Sequence, residues 1–171
     1  MPVKNRGIYT SKDCIEIWAN SCSQQPSPRN YIYSIETILH KDYKKLSCTE
    51  FSDKYAWDAD AYEIACKKGT KRDETVDFVV GLENGQLLMV EAKLDVENVT
   101  NLKGEVERKI SHTKSILVTS LHFKSCATPS VVLFGGKNLE RNIRRYRNMR
   151  NNKTDIVPMS LSDFYKRYFV D

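Results

Sequence analysis

Val76-Asp77-Phe78-Val79-Val80-Gly81-Leu82-Glu83-Asn84-Gly85-Gln86-Leu87-Leu88-Met89-Val90-Glu91-Ala92-Lys93 is the stretch from which the fold of this chain is read. Two apolar runs flank Glu83-Asn84-Gly85. Asn-Gly between strand-like runs is a strong hairpin signal, because both residues accept positive φ at low steric cost. Asp77 opens the first run, and Glu91 and Lys93 end the second. Side chains alternate across a strand, so Glu91 and Lys93 share a face. Loop length decides whether Asp77 joins them. A two-residue loop, Asn84-Gly85, sets Asp77 opposite Ala92 and turns Asp77 and Glu91 to opposite faces. A three-residue loop, a type I turn with Gly85 left-handed in a bulge, sets Leu82 opposite Gln86 and Asp77 opposite Glu91. Both faces are mostly apolar, so the hydrophobic pattern permits either. The three-residue register is predicted, because it gathers Asp77, Glu91 and Lys93 on one face. Carboxylates buried where apolar strands end need compensation, and a divalent cation is the expected source.

The chain has 171 residues, 40% of them hydrophobic and 29% charged. That suffices for one domain with its own core and excludes a disordered or membrane-embedded chain. No apolar run reaches the length of a transmembrane helix. The N-terminal stretch Met1 to Gly7 lacks the apolar core of a secretion signal. Cys14, Cys22, Cys48, Cys66 and Cys126 are widely spaced, without a Cys-x-x-Cys pair. Such spacing argues against a zinc site or a disulfide framework and for reduced thiols in a cytoplasmic protein. The net charge of +5 is unevenly placed: residues 137 to 153 hold Lys137, Arg141, Arg144, Arg145, Arg147, Arg150 and Lys153 against Glu140 alone. A basic excess confined to one segment fits a polyanion partner, the alternative being a solvated helix face.

Around the hairpin, apolar spacing predicts helices over residues 11–23, capped by Ser11 with Ile15, Trp18 and Cys22 inward, and over 30–46. In the second, Ile32, Ile35, Leu39, Tyr43 and Leu46 form the apolar stripe, and Glu36 lies within it. A carboxylate there needs a partner. It is either an acid of a metal site or a side chain at the stripe's edge, paired with lysine or reaching water. Ala61–Cys66 is a candidate first sheet strand, and Trp57 and Tyr62 read as core aromatics. Residues 101–117 read as a helix with Val106, Ile110, Thr113 and Leu117 inward, while Arg108, Lys109 and Lys114 add charge. His112 stands at no ligand spacing. Val131–Phe134 reads as a buried strand. The basic helix follows, with Leu139, Ile143 and Tyr146 inward and its arginines outward. Asp155–Met159 reads as a last strand, held to an edge or strand end by Pro158. Ser160 or Ser162 caps a final helix carrying Phe164, Tyr165 and Tyr168. This order predicts a mixed sheet with helices on both faces.

Asp77, thirteen residues, then Glu91-Ala92-Lys93 resemble the mark of the PD-(D/E)xK nuclease superfamily: an acid at the start of one strand and acid-x-Lys at the end of the next. The triplet alone is not specific, since Asp42-Tyr43-Lys44 and Glu107-Arg108-Lys109 share it. Only Glu91-Ala92-Lys93 ends a strand preceded by another that opens on aspartate. Val76 stands where the family often has proline, and the next helix offers no assigned glutamine or lysine to complete the site. The resemblance implies one domain over residues 1–171 with a restriction-endonuclease-like α/β fold. Its αβββαβ core covers 30–135, with a helical extension over 1–29 and the basic helix and C-terminal strand and helix over 136–171. It implies an endonuclease dependent on Mg2+ or Mn2+ that hydrolyses phosphodiester bonds, with DNA the expected substrate. Asp77, Glu91, the Ala92 backbone carbonyl and Glu36 would hold the metal. Lys93 would orient or deprotonate the attacking water, or stabilise developing negative charge. Lys137, Arg141, Arg144, Arg145, Arg147 and Arg150 read as a surface for the nucleic-acid backbone. A homodimer or a protein partner is compatible with this reading, and no membrane is expected. Two alternatives stand beside it. One is a catalytically inactive protein of the same fold that binds nucleic acid or a protein. The other is a small inhibitor or immunity-type interaction protein in which Asp77 and Lys93 form an ion pair.

Overall fold

The structure, a computed structural model, describes residue 10 and residues 12–102 and 104–170. Six strands form one sheet in sequence order: β1 (Ile32–Ser34), β2 (Tyr55–Trp57), β3 (Phe78–Gly81), β4 (Leu87–Lys93), β5 (Ser130–Phe134) and β6 (Ile156–Ser160). β1 to β4 run antiparallel to their neighbours, and β5 and β6 join in parallel. Parallel neighbours need a crossover connection. Helix α4 (Glu105–Ser115) provides it between β4 and β5, and α5 (Leu139–Met149) between β5 and β6. The remaining α-helices among the described residues are α1 (Lys12–Ser21), α2 (Ile35–Leu39), α3 (Ala59–Lys67) and α6 (Leu161–Tyr168). The fold is thus α/β, with a six-stranded mixed sheet.

Helices cover both faces of that sheet. Phe78, Val80, Leu88, Val90 and Leu133 pack with Ile35 and Leu39 of α2 and Phe164 of α6. On the other face, Val79, Leu87 and Met89 pack with Ile15 and Trp18 of α1 and Tyr62 of α3. Val132 and Phe134 meet Val106 of α4 and Ile143 and Tyr146 of α5 there. Burial on both faces is why β3, β4 and β5 read as continuous apolar runs. Pro158 lies in β6, the last strand of the sheet, where a missing amide hydrogen is tolerated. No helix among the described residues is long and apolar enough to cross a membrane.

The hairpin takes the three-residue loop. The Leu82 amide donates to the Gln86 carbonyl at 2.9 Å, and the Gly85 amide donates to the Leu82 carbonyl at 2.9 Å. Gly85 sits at φ +80°, a conformation that glycine adopts without strain. Phe78 pairs with Val90, so Asp77 falls opposite Glu91. Gly81 closes the strand for a different reason. A Cβ built there would lie 2.5 Å from the Ile15 nitrogen and 2.7 Å from the Cys14 carbonyl carbon, both backbone atoms of α1. Gly81→Ala is expected to push α1 off the sheet and destabilise the protein by about 2–3 kcal/mol. A denaturant midpoint unchanged by the substitution would refute this close approach.

Several elements differ from the sequence-based expectation. The helix expected over 30–46 is reduced to Ile35–Leu39, because residues 32–34 pair with β2 as an edge strand. The Ser34 hydroxyl then caps the short helix by accepting from the Thr37 amide at 3.1 Å. Ala61–Cys66 is not a strand but most of α3. Asp58 caps that helix by accepting from the Ala61 amide at 2.9 Å. β2 lies just before it and is only three residues long, too short to show alternation. Ser160, one of the two expected caps, starts α6 by accepting from the Asp163 amide at 2.9 Å. Ser11, expected to cap α1, lies outside the described residues.

Candidate active site

The β3–β4 register places Asp77 and Glu91 side by side where the two strands end, and α4 crosses above them. Lys109, from the middle of α4, donates to Glu91 Oε1 at 2.6 Å. The Lys93 Nζ lies 3.1 Å from the same oxygen and 2.6 Å from Glu105 Oε1. Lys109 and Glu105, one helical turn apart, are 3.7 Å from each other. Two carboxylates and two ammonium groups therefore form one network. Glu91 is fully buried, and its second oxygen, Oε2, is buried without a hydrogen-bond partner. A buried carboxylate oxygen in that state is costly unless something else satisfies it.

Asp77, partly buried, is held differently. Its Oδ2 accepts from the Ala92 amide at 2.6 Å, taking the place of a carbonyl at the end of the ladder. The Ala92 carbonyl accepts from the Tyr43 hydroxyl at 3.0 Å, and the Leu94 amide donates to that hydroxyl at 3.4 Å. Burial and the negative charge of Glu91 push the Asp77 carboxyl up to about 7, although the Ala92 amide, Lys109 and Lys93 pull the other way. Burial by itself would lower the Lys93 ammonium, but Glu91 and Glu105 outweigh it, and the net shift is upward. For Glu105, burial is again opposed and overridden by Lys93, so its carboxyl falls below the usual range. Lys93 is accordingly a fixed cation at neutral pH. Glu105 and Lys109 also line a cleft of about 240 Å³ with Asp60, Arg72, Asp73 and Thr75, so the network borders solvent on the α4 side.

Of the residues singled out in the sequence, the structure brings together Asp77, Glu91, Lys93 and the Ala92 backbone. Glu36 is not in that network. It lies in the first turn of α2, one turn before His40, and groups with His40 and Cys48, their ligand atoms within 4.8 Å of one another. Arg150 is corrected as a nucleic-acid contact. α5 ends at Met149, and the Arg150 side chain turns inward, 6% exposed. There it donates to Glu107 at 2.7 Å and to Asp155 at 3.1 and 3.2 Å, and its guanidinium stands 5.9 Å from the Tyr146 ring centre. Lys137, Arg141, Arg144, Arg145 and Arg147 are exposed.

Glu105 and Lys109 were missed as site residues. A signal for Lys109 existed: it lies three residues after Val106 and four before Thr113, both inward-facing. A lysine on the buried stripe of the helix that follows an acid-x-Lys strand has few places to go except that acid. Comparison with family models, curated proteins and solved structures finds no match for this chain.

Proposed function

We propose that this protein is a metal-dependent nuclease of restriction-endonuclease-like fold that hydrolyses phosphodiester bonds in DNA. The observation that carries the reading is Asp77 set against Glu91 across β3 and β4, with Lys93 two residues further along the same strand face. The donor set suits Mg2+ or Mn2+, which are held by one or two carboxylates and otherwise keep water and substrate phosphate. Glu91 Oε2 has no hydrogen-bond partner among the described residues. Burial first, and the charge of Glu91 second, raise the Asp77 carboxyl, and a cation beside it would favour its ionised form. Asp77, Glu91 and the Ala92 carbonyl are the residues that would hold the ion. When bound, a divalent ion supplies an acidified water and polarises the phosphate.

The chain's own groups do the rest. The Ala92 amide fixes the Asp77 carboxylate, and Tyr43 fixes the Ala92 carbonyl. Lys93, protonated at neutral pH, positions the attacking water or stabilises developing charge and does not take the proton. Glu105 orients Lys93, and Lys109 balances Glu91. The exposed arginines of α5 supply phosphate contacts, which give affinity and position but no sequence preference.

The test is cleavage of supercoiled plasmid and single-stranded DNA with Mg2+ or Mn2+, comparing wild type with Asp77→Asn and Lys93→Ala. Losses of about 100-fold or more in both variants, with circular dichroism unchanged, are expected. Because Glu91 is already balanced by two lysines without a metal, one other reading has support: a non-catalytic protein of the same architecture. No cleavage of any substrate and no Mg2+-induced rise in Tm would favour that reading instead.

A further inference from the structure

Beyond the Asp77–Glu91 network, Glu63 of α3, Asp73 of the segment between α3 and β3, and His112 of α4 converge, their ligand atoms all within 4.8 Å of one another. His112 Nε2 lies 3.7 Å from Glu63 Oε1 and 3.7 Å from Asp73 Oδ2. These distances are too long for direct hydrogen bonds. Glu63 is 3% exposed, and both its Oε1 and His112 Nε2 are buried without any hydrogen-bond partner. Lys67, the nearest cation on the same helix, stays 3.9 Å from Glu63 Oε1. A buried carboxylate and a buried imidazole nitrogen thus face one another, unbonded, across a gap of atomic size.

That gap has the dimensions of a metal ion. Two ligands of a tetrahedral zinc ion, at bond lengths of about 2.0–2.2 Å, stand about 3.4 Å apart. Contraction by about 0.3 Å would close the shell on both sides of His112. One imidazole nitrogen and two carboxylate oxygens favour a first-row divalent ion such as zinc over magnesium. Asp73 and His112 also line a cleft with Lys71 and Arg72, from which water can complete the coordination.

We propose that Glu63, Asp73 and His112 form a second divalent-metal site, of zinc type, that fastens segment 68–76 onto α3 and α4. The clasp would act on an exposed stretch of chain. It has no helix or strand of its own and runs exposed from Lys68 to Glu74. Arg72 pairs with Asp60 of α3, and the Val76 amide donates to the Thr113 hydroxyl of α4 at 3.0 Å, so an ion held by Asp73 would add a link between these two anchors. Asp77 follows directly, so whatever holds Asp73 also restrains the approach of the chain to the candidate active site. The proposal stands independently of the nuclease reading.

Zinc alone is the probe, titrated into the full-length, chelator-treated protein by calorimetry, with Tm and limited trypsin digestion as parallel readouts. Wild type and Asp77→Asn are both expected to bind zinc, to melt higher, and to gain protection at Lys68, Lys71 and Arg72. His112→Ala and Glu63→Gln are expected to lose at least tenfold in affinity together with the protection. Asp73→Asn, at an exposed position, should do the same and keeps the test independent of folding defects. Zinc binding that is unchanged in Asp73→Asn and His112→Ala, as occupancy of the Glu36–His40–Cys48 group would produce, overturns the proposal. Failure of wild type to bind zinc, leaving His112 merely an ionic partner of the two acids, overturns it as well.

Discussion

At pH 8 without divalent ions, Asp77→Asn is expected to be more stable than wild type, and with Mg2+ it is expected to lose ion binding beside Glu91 and cleavage. The Asp77 carboxyl titrates at about 7 in the folded chain, against about 3.9 for an unperturbed aspartate. Ionising it therefore works against folding. The penalty is absent below about pH 4, grows between about pH 4 and 7, and is complete above that. Asparagine cannot ionise, and its side-chain oxygen can still accept from the Ala92 amide. The shift sets a ceiling of about 4 kcal/mol. Relaxation and water entry at a partly exposed group reduce this to about 2 kcal/mol, or about 5 °C in Tm. At pH 4 the two proteins should melt together. Mg2+, which the Glu63–Asp73–His112 group does not favour, should raise the Tm of wild type and leave that of the variant unchanged, because only ionised Asp77 attracts the ion. Equal melting temperatures at pH 8, or a gap that does not vary with pH, would show that Asp77 is not held in a strained charge state. A site that is more stable when its acid is removed is the expected signature of function at the expense of stability.

The second large effect concerns Glu91. Lys93 and Lys109 both rest on its Oε1, and Glu105 is the other carboxylate of the network. Glu91→Ala leaves two ammonium groups against one carboxylate beneath α4. Removing one partner of a buried ion pair destabilises strongly, by about 3 kcal/mol or more, corresponding to about 10 °C for a chain of this size. The double variant Glu91→Leu with Lys109→Met should recover most of that loss. It replaces the charges by apolar groups of similar volume and leaves Lys93 paired with Glu105. Urea denaturation of the three proteins decides the matter. A loss below about 1 kcal/mol for Glu91→Ala would mean that water screens the network, as it does a surface pair.

Both effects trace to residues whose juxtaposition was partly legible beforehand. The hairpin was readable because its information is local. Asn84-Gly85 demands a turn, apolar runs bracket it, and the turn type sets the register for every residue up to Asp77 and Glu91. Val131–Phe134 was readable for the same reason, as an unbroken apolar run closed by two glycines. β1 and β2 were not, because three-residue strands carry no periodicity and their identity depends on partners 25 and 22 residues away. α3 stands where a strand is expected over Ala61–Cys66, and the local signal for the helix is its cap, Asp58. Arg150 looked like its neighbours in the basic run. Its inward turn depends on Glu107 and Asp155, which arrive from α4 and from the approach to β6.

The sequence by itself determined the hairpin, the shared strand face of Glu91 and Lys93, and the α/β layering, because turn chemistry and apolar runs act between neighbours along the chain. Only the tertiary structure decided that Lys109 and Glu105 close over Glu91, that Glu36 sits with His40 and Cys48, and that Glu63, Asp73 and His112 meet. The first and last of these contacts join elements whose separation in space is set by how α3 and α4 pack on the sheet, and Cys48 comes to Glu36 and His40 from the chain beyond α2. Helical spacing turns Lys109 inward and sets Glu36 one turn from His40, but the distance between separate elements is not encoded along the chain.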